Sequence, residues 1–303
     1  MKYLKIFIAI GLLTAMNACD QDRLYEDELY KQVVSLICSD NYNVLEDTQE
    51  LTGQEIVSYV AASCGGTGAP EKDIRISIIE DDEALDVYNW SMYDAETQNY
   101  AKRLPISKYD IEDHHIVIPK GERSGKMKIT FRPEGLSPDT AYFLPLSIAS
   151  MSAYELNSKK SNVMYRVLIK NKYAVQYSSG FSEYKMNGFR GETAIVMTKP
   201  MYPLTQNKVR LMAGNMLADD YTFEEGAIVL EVSGDNKVSI IPYKEGGTLS
   251  ITQMDGDSLY PNTFKIVNDW DKKFKVFHIH YKYKAGSAAE VEMREELRME
   301  FED

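Results

Sequence analysis

The stretch AIVLEVSGDNKVSII, residues 227–241, decides the fold class. Its two arms, Ala227–Val232 and Lys237–Ile241, are rich in β-branched residues and flank a Gly-Asp-Asn turn at 234–236. Such arms favour strands, and Gly, Asp and Asn between two of them are typical of a β-hairpin. The stretch therefore predicts two antiparallel neighbours in one sheet.

Runs of the same kind continue from Tyr173 to the end of the chain. Besides the hairpin, they are Ala194–Thr198, Lys208–Met212, Thr248–Gln253, Phe264–Val267, Phe274–Tyr283 and Val291–Phe301. Strands in simple succession indicate an antiparallel meander that closes into a barrel or packs as a sandwich. We therefore expect a C-terminal β-domain over residues 173–303.

The last of these runs fits two periods. Met293, Leu297 and Phe301 are spaced as on one face of a helix, but the apolar residues from Val291 onward also occupy alternate positions. Phe274–Tyr283 needs an antiparallel partner in the meander. We therefore expect Val291–Phe301 to be a strand.

The preceding part of the chain, residues 33–170, also reads as strands separated by Gly and Pro turns. The runs are Val33–Cys38, Glu55–Ser63, Ile74–Ile79, His115–Ile118, Met127–Phe131, Tyr142–Ile148 and Asn162–Ile169. Short strands at this spacing suggest a β-sandwich. Asp82–Trp90 is the one predicted helical turn in this half, and the domain boundary is expected near Lys170–Ala174. The predicted fold class is all-β, with two domains.

The first residues have the pattern of a secretory signal. Lys2 and Lys5 precede the apolar run Ile6–Met16, which is too short to span a bilayer. Ala18-Cys19 looks like the cleavage point of a bacterial lipoprotein. We expect residues 1–18 to be a signal peptide and Cys19 to carry the lipid.

Residues 19–32 are polar and acidic and are expected to form a solvated tether. This segment resembles the acidic signal that sends some Bacteroidetes lipoproteins to the cell surface. The predicted location is therefore the outer membrane, at the cell surface, with a periplasm-facing anchor as the alternative. No other run reaches membrane-spanning length, so contact with the membrane is expected through the lipid only.

Charge and cysteine content limit the partners. The formal net charge of −12 disfavours nucleic acid, whose binding requires clustered Lys and Arg. An exported protein can form disulfides, and Cys38 and Cys64 lie near the ends of predicted neighbouring strands. A disulfide between them and two buried thiols both remain open.

Catalytic and metal motifs are missing from the sequence, which contains no nucleophile elbow, phosphate-binding Gly loop or dinucleotide fingerprint. His278 and His280 share one face of a strand, but no third metal ligand is nominated, and a half-buried strand surface is expected there. Asp255–Ser258 and Asp269–Asp271 lack the calcium-loop pattern and read as turns. We expect no enzyme activity, no metal and no cofactor.

Aromatic residues are the remaining candidates for ligand binding, because sugar rings stack on aromatic side chains. The chain has 21 tyrosines and 2 tryptophans. Five of these residues fall in or beside predicted loops, where functional residues concentrate. The candidates are Trp90, Tyr93, Tyr100, Tyr260 and Trp270.

Five motifs in residues 33–170 resemble a known domain: Tyr88-Asn89, Leu104–Tyr109, Ile118–Glu122, Tyr142–Ile148 and Asn157-Ser158. Their order and spacing are similar to the immunoglobulin-like N-terminal domain of Bacteroidetes surface lipoproteins of an uncharacterised family. These proteins accompany Sus-like polysaccharide-utilisation systems. Residues 173–303 look like the C-terminal domain often joined to it, a lipocalin-like or sandwich β-fold.

The resemblance implies capture or presentation of glycans at the cell surface. The sequence therefore predicts a non-catalytic envelope lipoprotein that binds carbohydrate as an accessory of a polysaccharide-utilisation system. The alternative is a structural or adhesin-like module that binds an envelope protein. A glycoside hydrolase is the third hypothesis and would require two carboxylates about 5–10 Å apart in a cleft.

Overall fold

The computed structural model describes residues 30–39 and 41–302. The predicted signal peptide, Cys19 and most of the predicted tether lie outside the described residues, so these three remain predictions. The described part is nearly all β, which confirms the predicted fold class. None of its helices has the length and apolar character needed to cross a bilayer.

Residues 33–170 form two sheets. The strands are β1 (Val33–Leu36), β2 (Val44–Glu50), β3 (Ile56–Gly65), β4 (Ile74–Glu80), β5 (Lys102–Arg103), β6 (Tyr109–Asp110), β7 (His115–Ile118), β8 (Ser124–Phe131), β9 (Tyr142–Met151), β10 (Glu155–Leu156) and β11 (Asn162–Lys170). One sheet has the order β10-β1-β3-β8-β6, and the other has the order β2-β11-β9-β4-β7 with β5 beside β9.

The two sheets enclose one core. In β8, Met127, Ile129 and Phe131 are buried, whereas Lys126 and Lys128 at alternating positions are exposed. This period of two places every second side chain against the facing sheet. Ile76 of β4 and Tyr165 of β11 meet the same core from the other side. The immunoglobulin-like assignment of this sandwich remains a prediction.

One α-helix, α1 (Glu83–Tyr93), follows β4. It begins close to the predicted helical turn and extends three residues beyond Trp90. Single 3₁₀ turns occur at Thr97–Asn99, Ile106–Lys108 and Ser158–Lys160.

The C-terminal domain is one strongly curved sheet. Its strands are β12 (Gln176–Tyr177), β13 (Gly180–Arg190), β14 (Thr193–Thr205), β15 (Lys208–Met212), β16 (Ala227–Val232), β17 (Val238–Pro242), β18 (Leu249–Gln253), β19 (Thr263–Asp269), β20 (Lys272–Ala285) and β21 (Val291–Phe301), with a short helix α2 (Phe223–Gly226) before β16. The order is β17-β16-β15-β14-β13-β21-β20-β18, with β19 also on β20 and β12 on β13.

The two ends of this sheet approach each other. Lys237 and Thr263 form a bridge, and the Val238 amide donates to the Asn262 carbonyl over 2.8 Å. The sheet is therefore a nearly closed barrel. β21 lies between β13 and β20, so the expectation of a strand at Val291–Phe301 was right.

The positions of Cys38 and Cys64 in the sheet do not favour a disulfide between them. In the β1–β3 register Val34 lies opposite Cys64, and Cys38 is four residues further along the chain. Four residues of extended chain span about 13 Å. The Cα atoms of a disulfide lie within about 7 Å.

Candidate functional site

The helix α1 packs on the outer face of the second sheet over a small core of its own. Leu85 of the helix is buried against Phe143 of β9, Met164 of β11 and Ala101. Glu83 and Asp86 lie in the first turn of the helix, where the helix dipole favours negative charge. Arg103 pairs with Asp82, the residue before the helix, at 2.7 Å. The helix is therefore fixed on the sheet.

The end of α1 is joined to the loop that follows it. Asn89 is buried, and its side-chain amide donates to the Ala101 carbonyl over 3.0 Å and accepts from the Ala101 amide over 2.8 Å. The Tyr100 hydroxyl donates to the Asp94 carbonyl over 2.6 Å. These bonds hold the aromatic residues of the loop against the helix.

We expect Asn89→Ala to destabilise this domain by about 1–3 kcal/mol, because it leaves two buried backbone groups without partners. Urea unfolding measures the loss. Asn99→Ala is the matched control, since the exposed side chain of Asn99 donates to the Glu96 side chain, over 2.8 Å, and not to a buried backbone group. Equal stability of the two variants would contradict this account.

Four tyrosines form a row along the helix, here called the tyrosine row: Tyr42, Tyr88, Tyr93 and Tyr100. The Tyr88 ring centroid lies 5.3 Å from that of Tyr42 and 6.4 Å from that of Tyr93, and Tyr93 lies 6.3 Å from Tyr100. Tyr42 also bonds the Ser91 hydroxyl. The row is a continuous aromatic surface.

A groove of about 450 Å³ opens beside this row. We call it the tyrosine groove, and it is lined by Ser39, Asn41, Val44, Leu45, Glu46, Tyr88, Met92, Phe143 and Arg166. Phe143 lies beneath Tyr88, with 5.1 Å between ring centroids. The groove thus has an apolar aromatic side, which Met92 extends.

An ion pair forms the polar side of the tyrosine groove. Arg166 donates to Glu46 over 3.0 Å and to the Ser178 carbonyl over 3.4 Å. Its guanidinium carbon lies 5.9 Å from the Phe143 ring centroid. Both charged groups are therefore held in place at the edge of an aromatic surface.

The tyrosine groove combines an aromatic side with hydrogen-bonding groups. Partial burial raises the pKa of Tyr88, whose neutral phenol can donate a hydrogen bond. Among the described residues that line the groove, one is a carboxylate, Glu46. The described lining therefore offers surfaces for stacking and for hydrogen bonding.

The structure brings some of the predicted binding residues together and separates others. Tyr93 and Tyr100 lie in the tyrosine row, and Trp90 lies on the same helix with 64 % of its surface exposed. Tyr260 and Trp270 lie on the C-terminal domain, where the ring centroids of Tyr260 and His278 are 6.2 Å apart. The five residues therefore do not form one site.

The histidines of β20 pair with carboxylates. His278 lies 3.1 Å from Glu296, and His280 lies 2.9 Å from Glu292 and 3.4 Å from Asp257. Burial lowers the pKa of His278. Within the described ranges, no group of three or more His, Cys, Asp or Glu residues is arranged to hold a metal ion.

The two aspartates of the loop between β18 and β19 stabilise that loop. Asp257 accepts from the amides of Leu259 and Tyr260 over 2.8 and 3.1 Å, and these bonds lower its pKa. Asp255 accepts from the side chains of Gln253 and Asn262. Both carboxylates are engaged in local hydrogen bonds.

None of the five predicted binding residues lines the tyrosine groove, and the residues missed include Glu46, Tyr88, Phe143 and Arg166. Tyr88 and Phe143 belong to motifs that carried the family resemblance, so a signal for these two was present. Glu46 and Arg166 lie in distant segments that meet only because β2 pairs with β11 in parallel. Their proximity could not be predicted without knowing how the strands are ordered in the sheet.

Two family models match the chain. One, described as an N-terminal domain, matches residues 25–155, and the other, described as a C-terminal domain, matches residues 161–298. The chain is therefore similar to both domains, in the order that their descriptions give. A search of curated proteins finds no match.

Three solved structures from Bacteroides share this fold over nearly the whole chain. A protein of unknown function from Bacteroides ovatus has a TM-score of 0.66 at 14% identity, with 89% of this chain and 95% of that chain covered. A second protein of unknown function from the same species has a TM-score of 0.61 at 16% identity, with coverages of 92% and 94%. The third, from Bacteroides thetaiotaomicron, is described as an auxiliary nutrient binding protein and has a TM-score of 0.55 at 12% identity, with coverages of 86% and 92%.

Proposed function

We propose that this protein is a non-catalytic carbohydrate-binding protein and that the tyrosine groove is its binding site. The observation that carries the proposal is the fixed ion pair Glu46–Arg166 beside the half-buried Tyr88 ring, which packs on the buried Phe143. A sugar ring presents an apolar C–H face, and its equatorial hydroxyls point outward around the edge of the ring. The aromatic side receives the face, and the ion pair receives the hydroxyls.

The proposal includes a location and a role. The predicted signal peptide, Cys19 and tether would place the groove at the cell envelope, with the lipid as the only contact with the membrane. There the protein would act as an accessory of a polysaccharide-utilisation system. The description of one structural neighbour as an auxiliary nutrient binding protein agrees with this role.

We expect Tyr88→Ala to weaken carbohydrate binding about tenfold or more, because a loss of about 1.4 kcal/mol of stacking energy is a factor of ten in affinity. The measurement is affinity electrophoresis of the mature protein in gels that contain glucans, mannans, xylans or galactans. Glu46→Gln, which keeps the shape and removes the charge of the acceptor, is expected to weaken binding of the same polysaccharide.

Tyr59→Ala is the matched control for this experiment. Tyr59 lies on β3 in the other sheet of the same domain, and 43% of its surface is exposed. Its removal should leave binding unchanged. If the folded wild-type protein binds no polysaccharide of the panel, the carbohydrate proposal fails and the envelope-protein partner becomes the better hypothesis.

A further inference from the structure

The turn between β19 and β20 has an unusual residue at its tip. Asp269 pairs with Lys272, so Trp270 and Asp271 form a two-residue hairpin loop. Trp270 has φ +58° and 99% of its surface is exposed. Two-residue hairpins favour glycine where φ is positive, and a bulky aromatic residue is unfavourable there. Neither the conformation nor packing accounts for a tryptophan at this position.

A groove of about 510 Å³ begins at the base of this turn. We call it the hairpin groove, and it is lined by Glu183, Lys185, Asn187, Asp269, Phe274, Arg298, Met299 and Glu300. The Arg298 guanidinium carbon lies 3.7 Å from the Phe274 ring centroid, and Arg298 donates to Asp269 over 2.8 Å. The hairpin groove therefore repeats the combination of an aromatic ring and a fixed ion pair, on the other domain.

The charges of the hairpin groove favour a neutral ligand. Asp269 neutralises Arg298, and Lys272 pairs with Glu300 at 2.9 Å. The turn region Asp269–Lys273 carries two aspartates and two lysines, so it has no net charge to attract anionic polymers or anionic lipid surfaces. The asparagine and the paired side chains supply both donors and acceptors for hydroxyl groups.

We infer that Trp270 and the hairpin groove form a second binding site for a neutral glycan, separate from the tyrosine groove. The indole ring, held clear of the surface, stacks on one sugar ring, and the groove at its base receives the neighbouring sugars. A polysaccharide chain that reaches both sites gains avidity from the second contact.

Trp270 fluorescence tests this site directly, because Trp90 is the only other tryptophan of the chain. Trp90→Phe leaves Trp270 as the sole indole. On titration with the neutral polysaccharide that the wild-type protein binds, its emission should shift to shorter wavelength and become less accessible to acrylamide. Polygalacturonate and vesicles containing anionic phospholipid should leave the emission unchanged.

Trp270→Gly is expected to change stability and polysaccharide binding in opposite directions. It should raise the melting temperature, because glycine suits the positive φ, and weaken binding of the polysaccharide about tenfold. A purely structural Trp270 would show the first change without the second. Leu259→Gly, at another exposed side chain of the same domain, is the control that should leave binding unchanged.

The outcomes distinguish the two sites. If polysaccharide binds and Tyr88→Ala abolishes it while Trp270 emission stays constant, the second site is refuted and the tyrosine groove stands. If Trp270 responds and Tyr88→Ala has no effect, the tyrosine groove fails and the second site stands. A response of Trp270 to polygalacturonate or vesicles, but not to neutral polysaccharide, overturns the inference in favour of another partner.

Discussion

Lys199→Met is expected to destabilise the C-terminal domain by about 3–5 kcal/mol, because it leaves the Glu295 carboxylate buried without its cation. The Lys199 ammonium lies 2.8 Å from Glu295, and the two side chains are 2% and 0% exposed. Chemical denaturation, followed by the near-ultraviolet signal of the barrel tyrosines, measures the loss.

The partners of Glu295 explain why the charge is tolerated inside the barrel. One carboxylate oxygen accepts from Lys199, and the other accepts from the Tyr281 hydroxyl over 2.6 Å. The Gly214 amide donates to that hydroxyl over 2.6 Å. Burial and the neighbouring Glu295 charge raise the pKa of Tyr281 well above its usual value, so the phenol remains a donor.

Two further variants separate the charge from the loss of packing. The double variant Lys199→Met, Glu295→Gln removes both charges and should recover most of the stability. Lys208→Met, which removes a half-exposed partner of Glu231 at 3.2 Å, should have only a small effect. A double variant no more stable than Lys199→Met would show that the charge is not the cause.

The buried ion pair Lys199–Glu295 was not predicted from the sequence, because the predicted strand stopped short of Lys199. The predicted strand Ala194–Thr198 ends one residue before Lys199, and Pro200, the next residue, is of a type that is poor inside a sheet. In the structure the strand continues through Pro200 to Thr205. Lys199 therefore lies on the inner face of a strand rather than in a turn.

The two longest of the strands that were missed, β2 and β13, have sequences that lack the usual signal. β2, VLEDTQE, is mostly polar and pairs only at the edge of its sheet. β13, GFSEYKMNGFR, alternates correctly but interrupts the pattern with glycine and asparagine. Neighbouring strands, rather than intrinsic propensity, hold both in place.

The predicted strands at Val291–Phe301 and at the 227–241 hairpin were right, because alternation and turn chemistry specify such elements locally. The candidate site was predictable only in part. Composition and loop position indicated Tyr93 and Tyr100, whereas Arg166 and Glu46 meet through a parallel pairing of two strands about 120 residues apart in the chain. The candidate residues from the sequence thus include part of the tyrosine row but none of the residues that line the tyrosine groove.

The second large effect is expected at the junction of the two domains. Arg210 of β15 is fully buried and donates to both carboxylate oxygens of Asp139, over 2.8 and 2.5 Å. Its guanidinium carbon lies 3.8 Å from the ring centroid of Phe223, 4.6 Å from that of Tyr202 and 4.7 Å from that of Tyr243. Asp139 belongs to the N-terminal part of the chain, so the pair joins the two domains.

Arg210→Ala should cost about 2–5 kcal/mol, mainly because it leaves three rings around a void; the remaining Asp139 is 37% exposed and keeps contact with water. Arg210→Lys should recover only a minor part, since lysine lacks the planar fork that makes two parallel hydrogen bonds and stacks on aromatic rings. Scanning calorimetry is the measurement. We expect one joint transition in the wild-type protein and two separate transitions in Arg210→Ala.

A double-mutant cycle with Asp139→Ala assigns the effect to the pair. Because the two side chains contact each other, the double variant should lose clearly less stability than the sum of the single variants. Additive losses would mean that Arg210 acts through the rings alone.

The Arg210–Asp139 pair also bears on binding, because only a long polysaccharide needs both grooves at a fixed distance. If Arg210 fixes the orientation of the two domains, Arg210→Ala should weaken binding of the polysaccharide and leave binding of a short oligosaccharide unchanged.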